Sequence, residues 1–88
     1  MNTVFLKQFY KDLDKVKDQN VKDCIAKIII NVEEANSLRD IKNLKKLKGY
    51  KTVFRIKTGD YRIGIIIEKD IVEFVRFVHR KDIYKRFP

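Results

Sequence analysis

The first third of the chain has its apolar residues at intervals of three and four, which is the period of an α-helix. Phe9, Leu13 and Val16 form the first such set and predict a helix that runs to about Lys17. A short strand is expected just before it, over residues 3–6. The chain therefore begins with a strand followed by an amphipathic helix.

A second helix follows a polar break, where Asp18 or Asn20 is a suitable N-cap. Its apolar positions form one stripe, which we expect to face a core: Val21, Cys24, Ile25, Ile28, Ile29 and Val32. Cys24 is the only cysteine, so it cannot form an internal disulfide. Because it lies in the stripe, we interpret it as a small core residue and not as a reactive thiol.

A lysine-rich segment connects the helices to the second half of the chain. An apolar residue recurs in it every three residues: Leu38, Ile41, Leu44 and Leu47. This spacing predicts a short helix or turn that ends at Gly49.

Beyond Gly49 the period changes to two, which is typical of β-strands. Three strands are predicted, at residues 52–58, 61–67 and 71–78. Gly59–Asp60 joins the first two as a type II′ turn, because glycine comes first, and residues 68–70 form the second turn. Helices followed by an antiparallel meander predict a two-layer α+β fold, with two N-terminal helices packed on a small, mainly antiparallel sheet. Residues 1–88 are expected to form one domain.

The first turn sets a register that brings cations together. Lys57 lies opposite Arg62, and Arg55 lies opposite Gly64 on the same face. Like charges directly across a ladder destabilise it by up to ~1 kcal/mol, whereas a bound phosphate would convert the repulsion into charge-assisted hydrogen bonds. Gly64 has no side chain, so it leaves room on this face for a ligand. The alternative is that the long cationic side chains simply extend into water.

The third strand can meet this face in two ways. If Lys69–Asp70 is a two-residue turn, alternate residues of the strand share the Arg62 face: Glu73, Val75, Phe77 and His79. A three-residue turn reverses the assignment, and the pattern leaves both open.

A basic run with an aromatic residue inside it ends the chain: Arg80, Lys81, Tyr84, Lys85 and Arg86. This combination suits stacking on a base together with phosphate contacts. The alternative is a solvated tail whose Ile83, Tyr84 and Phe87 pack against the domain.

Composition and charge narrow the functional classes. The chain has 88 residues, 44% of them hydrophobic, and a net charge of +9, which favours nucleic acid, an anionic surface or an acidic protein as partner. One histidine and one cysteine cannot form the usual zinc site, and no serine-nucleophile or phosphate-loop motif is present. We therefore expect no metal and no cofactor. Without a signal peptide or a membrane-length apolar run, a cytoplasmic protein without a membrane partner is expected.

Two blocks of sequence resemble the RelE/ParE superfamily of toxins from type II toxin–antitoxin modules. The first is Phe54-Arg-Ile-Lys-Thr-Gly-Asp-Tyr-Arg-Ile63, where members typically show Tyr-Arg-Ile-Arg-x-Gly-Asp-Tyr-Arg. The second is Val78-His-Arg-Lys-Asp-Ile-Tyr84, which follows a later strand. With the helices before them, the resemblance covers essentially the whole chain.

The resemblance implies a toxin with one of two targets. RelE-type members are ribosome-dependent endoribonucleases that cut mRNA: the RNA 2′-hydroxyl attacks its own phosphate, and cations stabilise the charge that develops. ParE-type members share the fold but inhibit DNA gyrase, and in both types a cognate acidic antitoxin neutralises the toxin. We favour the mRNA endoribonuclease, with ribosome and mRNA as partners. The alternatives are a gyrase inhibitor and a catalytically silent RNA- or ribosome-binding domain.

The resemblance also implies roles for residues of the first block. Arg62 matches the strand arginine that holds the scissile phosphate. Arg55 and Lys57 match basic positions that bind a base or a phosphate. Val53 is a departure, since one branch of the superfamily has a further lysine at this position.

In the second block, Arg80 or Lys81 falls where a second catalytic arginine is expected. Tyr84 matches a tyrosine that stacks on a base, and Lys85 is assigned to RNA binding beside it. His79 departs from the branch that has glycine there. A histidine at this position can act as an acid or a base, so His79 joins the candidate catalytic residues.

Overall fold

The structure, a computed structural model that describes residues 1–88, is built on one five-stranded sheet. Its elements, in chain order, are β1 (Asn2–Phe5), α1 (Lys7–Asp14), α2 (Gln19–Glu34), a 3₁₀ turn (Leu38–Asp40), β2 (Leu44–Lys46), β3 (Val53–Thr58), β4 (Tyr61–Glu68), β5 (Ile71–His79) and α3 (Ile83–Arg86). The strands lie in the order β1-β5-β4-β3-β2.

The sheet is mainly antiparallel. Strands β2 to β5 form antiparallel pairs, and only β1 runs parallel to its neighbour, β5. The predicted α+β fold with two N-terminal helices on such a sheet is confirmed, as is the short first strand. The four-residue helix α3 is an addition that the sequence pattern does not predict. None of the helices combines the length and the apolarity needed to cross a membrane.

The main core lies between helices α1 and α2 and one face of the sheet, called here the inner face. Its thirteen buried residues are Phe9, Ile25, Val32, Ala35, Ile41, Phe54, Ile56, Ile63, Ile65, Ile67, Val72, Phe74 and Phe77. The period-two positions of the strands and the helical stripes therefore meet in one layer. The opposite side of the sheet is called the outer face.

Helix α2 begins as predicted, but less of its stripe is buried than expected. The carboxylate of Asp18 accepts a hydrogen bond from the Asn20 amide at 2.8 Å and caps the helix. Ile25 and Val32 point into the core, whereas Cys24 is exposed. The prediction that Cys24 is a core residue is therefore wrong. Successive helix residues differ by about 100° in direction, so Cys24 points well away from Ile25, at the edge of the stripe.

The lysine-rich segment contains a strand where a helix or turn was predicted. One 3₁₀ turn does form at its start, but Leu44–Lys46 is β2, which pairs with β3. The pairing gives the backbone of β3 hydrogen-bond partners on its second side. Because strand residues alternate, Leu44 packs against the main core and Lys45 lies on the outer face.

The β3–β4 hairpin has the predicted register. Lys57 pairs with Arg62, and Arg55 pairs with Gly64. At the turn Gly59 has a φ of 57°, and the following residue is not left-handed, as a type II′ turn requires.

Strand β5 contains a β-bulge that reverses the expected facing of its second half. The turn before it has two residues, but the β4–β5 register shifts between Gly64 and Ile65, which leaves Val75 as the extra residue. Beyond the bulge, Phe77 and His79 lie on the inner face. The alternative in which a two-residue turn puts these two on the face of the strand cations is therefore wrong, although the turn does have two residues.

A buried carboxylate on α1 binds β5 just beyond the bulge. Asp12 accepts hydrogen bonds from Arg76 Nε at 2.8 Å, from the Phe77 amide at 2.9 Å and from Gln8 Nε2 at 3.0 Å. The pairing of β1 with β5 ends at Phe74, so the carboxylate supplies the Phe77 amide with the partner that β1 no longer provides.

These contacts set the protonation of Asp12. Burial by itself raises the pKa of this carboxyl, but the hydrogen bonds from Arg76, Phe77 and Gln8 outweigh it and lower the pKa below 3.8. A group whose pKa is lowered by folding stabilises the protein above its unfolded-state pKa. That contribution is lost as the pH falls through the folded-state value.

We expect Asp12→Ala to lower the free energy of unfolding by about 3 kcal/mol at neutral pH, because it leaves Arg76 and the Phe77 amide without their partner. Urea titration followed by circular dichroism measures this. The difference from wild type should shrink at acid pH, where Asp12 becomes protonated. Asp14→Ala, which removes an exposed carboxylate on the same helix, is the matched control. Equal stability of the two variants would contradict the assigned role.

Candidate functional site

Four cations form one cluster on the outer face: Lys45, Arg55, Lys57 and Arg62, called here the cation cluster. Lys45 of β2 pairs with Arg55, and Lys57 pairs with Arg62, so both cross-strand pairs join like charges. Such pairs oppose the folded state. The cluster is therefore explained by a ligand better than by stability.

No carboxylate neutralises the cluster. The ion pairs of the structure are Arg76–Asp12 and Arg80–Asp60, and neither includes a member of the cluster. Arg62 instead donates from one guanidinium nitrogen to the carbonyls of Gly59 and Tyr61, at 2.9 and 2.8 Å. These bonds hold the guanidinium beside the turn.

A small second core covers the rest of the outer face. It consists of five buried residues from four parts of the chain: Leu47, Val53, Val78, Ile83 and Phe87. Val53 therefore contributes to packing at the position where one branch of the superfamily has lysine. Ile83 and Phe87 belong to α3 and its C-cap, so this core attaches the C-terminal segment to the sheet.

The space above Gly64 is not open. A Cβ atom on this glycine would lie 2.6 Å from Cγ of Phe87, so the aromatic ring sits directly on the backbone. The prediction that Gly64 leaves room for a ligand is wrong, because the C-terminal segment fills that room. The glycine instead permits close packing of Phe87 against β4.

Helix α3 brings the second sequence block to the outer face. Tyr84 is 72% exposed, and Lys85 is also exposed. Arg80 and Lys81 form the exposed turn before the helix, where the Arg80 amide donates to the Asp60 carbonyl at 2.8 Å. Of the predicted site residues, those of α3 share the outer face with the cluster, and the Arg80–Lys81 turn adjoins it at the β3–β4 turn.

His79 is the predicted site residue that lies elsewhere. It is on the inner face opposite Tyr61, with ring centroids 5.8 Å apart, and lines a cleft of about 380 Å³ beside the α1–α2 connection. Its Nδ1 accepts a hydrogen bond from the Lys81 amide at 3.2 Å. The ring therefore supports the turn that carries Arg80 and Lys81.

Two residues of this surface are absent from the sequence-based set. Lys45 lies in the segment whose spacing predicts a short helix or turn, and alternation from Leu44 is the signal that places it with Arg55 once β2 is recognised as a strand. Phe87 enters the sequence interpretation only as one of three tail residues that could pack against the domain, and its position over Gly64 depends on tertiary packing. No group of three or more His, Cys, Asp or Glu side chains is placed to hold a metal ion.

Comparison with known proteins identifies the family of the chain. A family model described as the ParE toxin of the type II toxin–antitoxin system parDE matches residues 4–84. Toxin RelE3 of Methanocaldococcus jannaschii is 44% identical over 89 residues, with both chains covered in full.

Solved structures extend the likeness to three dimensions. The RelB–RelE antitoxin–toxin complex from Methanococcus jannaschii contains a chain with a TM-score of 0.80 and 42% identity, covering 97% of this chain and 99% of that one. The RelBE2 toxin–antitoxin complex from Mycobacterium tuberculosis matches with a TM-score of 0.71 over 90% of this chain and 96% of that one, but at 21% identity, which shows the fold alone. The chain belongs to the RelE/ParE superfamily of type II toxin–antitoxin toxins.

The contact between Gly64 and Phe87 can be tested by a double-mutant cycle. We expect Gly64→Ala to destabilise the protein by about 1–3 kcal/mol, because the new methyl group overlaps the ring. In a Phe87→Ala background the same change should cost at least about 1 kcal/mol less. Chemical denaturation of the four proteins gives the coupling energy, and additive effects would rule out direct contact.

Proposed function

We propose that this toxin is a ribosome-dependent endoribonuclease that cleaves mRNA, and that its outer face binds the RNA. The cation cluster is the observation that carries the proposal. Its two like-charge pairs oppose folding in the free protein, and they become favourable when phosphate oxygens lie between them. The identity of 44% to Toxin RelE3 over the full length supports the RelE type.

The reaction is a transesterification at one phosphodiester. The 2′-oxygen of one nucleotide bonds to phosphorus, and the bond from phosphorus to the 5′-oxygen of the next nucleotide breaks. The 2′-hydroxyl loses a proton and the departing 5′-oxygen gains one. Negative charge rises on the non-bridging oxygens, and cations already fixed near them lower the barrier.

Individual residues take roles that fit their positions. Arg62 stabilises the charge on the scissile phosphate, because its carbonyl partners already hold the guanidinium in place. Arg55 and Lys57, on the neighbouring strand, contact the same or the adjacent phosphate. Tyr84 stacks on a base, and Lys85 follows it with a phosphate contact.

The Arg80–Lys81 turn supplies a further cation near the leaving group. His79 acts by holding this turn through the Lys81 amide and not by moving a proton. A positioning role suits its location on the inner face.

A cognate acidic antitoxin is the proposed second partner. The solved relatives include complexes of a toxin with its antitoxin. The net charge of +9 would attract an acidic chain and speed its association. With ribosomes as its target, the toxin acts in the cytoplasm.

We expect Arg62→Ala to reduce mRNA cleavage by about 10²–10³-fold, because it removes a cation aimed at the transition-state charge. Primer extension on mRNA from a translation extract with the purified protein measures the cut sites and their rates. Arg39→Ala removes an exposed arginine from the 3₁₀ turn and serves as the matched control. An active Arg62→Ala protein would refute the site assignment.

The ParE description of the matching family model supports one alternative, inhibition of DNA gyrase. Supercoiling assays with the same protein samples distinguish the two. Inhibition of gyrase by folded wild-type protein, without breaks in translated mRNA, would replace the endoribonuclease by the gyrase inhibitor. A folded protein inactive in both assays would be the catalytically silent binding domain.

We expect His79→Gln to retain cleavage within a few-fold of wild type, since the imidazole does not face the cation cluster. General acid–base catalysis by a side chain is worth about 10²–10⁴-fold. Single-turnover cleavage rates with programmed ribosomes distinguish a positioning role of His79 from proton transfer by its imidazole. A loss of that size, with folding intact, would show that His79 transfers a proton.

A further inference from the structure

A second cleft, of about 480 Å³, opens beside the cation cluster between the β2–β3 connection and the C-terminal segment. It is lined by Lys45, Lys46, Leu47, Lys48, Tyr50, Tyr84, Phe87 and Pro88. The lining contains no acidic and no amide side chain. Its volume is in the range of ligand sites, about 300–1,000 Å³, and its chemistry is cationic and aromatic.

Both walls of the cleft are attached to the second core. Leu47 anchors the β2–β3 connection there, and Phe87 anchors the C-terminal segment. The tip of the connection is a turn in which Gly49 has a φ of 88° and the Tyr50 amide donates to the Leu47 carbonyl at 3.3 Å. The two walls are therefore held in a defined relation before any ligand arrives.

Two tyrosine rings stand in this cleft without burial in either core. Tyr50 is 47% exposed and Tyr84 is 72% exposed. The other two tyrosines differ: Tyr61 stacks on Phe77 with centroids 4.8 Å apart, and Tyr10 lies on α1 in the opposite layer. Exposed aromatic rings among lysines are the combination used for single-stranded nucleic acid.

We infer that the cleft is a second nucleotide subsite, in which a base of single-stranded RNA stacks on Tyr50 while Lys45 and Lys48 contact the flanking phosphates. The assignment to RNA rests on the proposed function. Lys45 belongs both to the cation cluster and to the cleft, so a strand bound at Arg55 continues directly into it. The lack of amide and carboxylate groups implies recognition that tolerates different bases.

An acidic protein segment is the competing occupant. The lysines would suit it equally, but face-to-face stacking of a planar base on an exposed aromatic ring is a contact that nucleic acid makes and a carboxylate side chain does not. Stacking is therefore the property that separates the two occupants, and the test is built on Tyr50.

The first experiment measures binding, not cleavage, of a short fluorescein-labelled single-stranded RNA by anisotropy. We expect Tyr50→Ala to weaken binding by about 5- to 100-fold, the effect of losing one base–aromatic stack, and Tyr50→Phe to bind like wild type. Tyr10→Ala is the control and should bind unchanged. Because the chain has four tyrosines and no tryptophan, quenching of tyrosine fluorescence by RNA should also diminish in Tyr50→Ala.

The second experiment tests the lysines through salt dependence. Replacing Lys45 and Lys48 by alanine should reduce the slope of log affinity against log salt by about 1.4, at ~0.7 per phosphate contact on a single strand. A double variant at Lys22 and Lys27, exposed lysines of α2, has the same change in charge and should leave the slope nearly unchanged.

These outcomes test RNA binding in the cleft independently of the proposed mRNA cleavage. Unchanged RNA binding by Tyr50→Ala, or equal effects of the two lysine double variants, overturns the subsite even if mRNA is cleaved. Loss of RNA binding on Tyr50→Ala supports it even if no cleavage is found. If Tyr50→Ala weakens binding of polyglutamate as strongly as that of RNA, the cleft is a site for acidic protein and the inference is wrong.

Discussion

The carboxylate of Asp12 holds the β-bulge on which both sides of the sheet depend. It binds Arg76 and the Phe77 amide where the parallel neighbour β1 has ended. The extra residue of the bulge turns Phe77 into the main core and Val78 into the second core. Without the bulge, Phe77 would lie on the outer face and Val78 on the inner face. The second core would then lose Val78, against which the C-terminal segment packs.

The outer face consequently has two parts, the second core and the cation cluster. The second core stabilises the fold, whereas the adjacent cation cluster opposes it through two like-charge pairs. Val53 lies on the packing side of this division, so phosphate contacts at its position are excluded. Phe87 marks the boundary, because its ring covers Gly64 directly beside Arg55. The C-terminal segment is therefore part of the architecture of the candidate site.

Local chemistry explains which features could be predicted from the sequence. The Gly59–Asp60 turn specifies its own register, so the pairing of Lys57 with Arg62 followed directly from it. The bulge could not be predicted, because its partner Asp12 is 65 residues from Phe77 along the chain. Strand β2 was missed because pairing with β3 overrides the helical spacing of its leucines. The resemblance of the two sequence blocks predicted the superfamily. The face on which His79 lies could not be predicted, because it depends on the bulge.

A sheet suits a cation site of this kind for a physical reason. Hydrogen-bonded strands lie about 4.8 Å apart, so like charges on adjacent strands are held within reach of one phosphate group. Backbone hydrogen bonds and the main core hold the strands together, although the repulsion within each like-charge pair acts to separate them. The repulsion is therefore present in the free protein, and no side chain has to be brought in from a distant element. In this arrangement the fold itself supplies the preorganisation that the proposed cleavage requires.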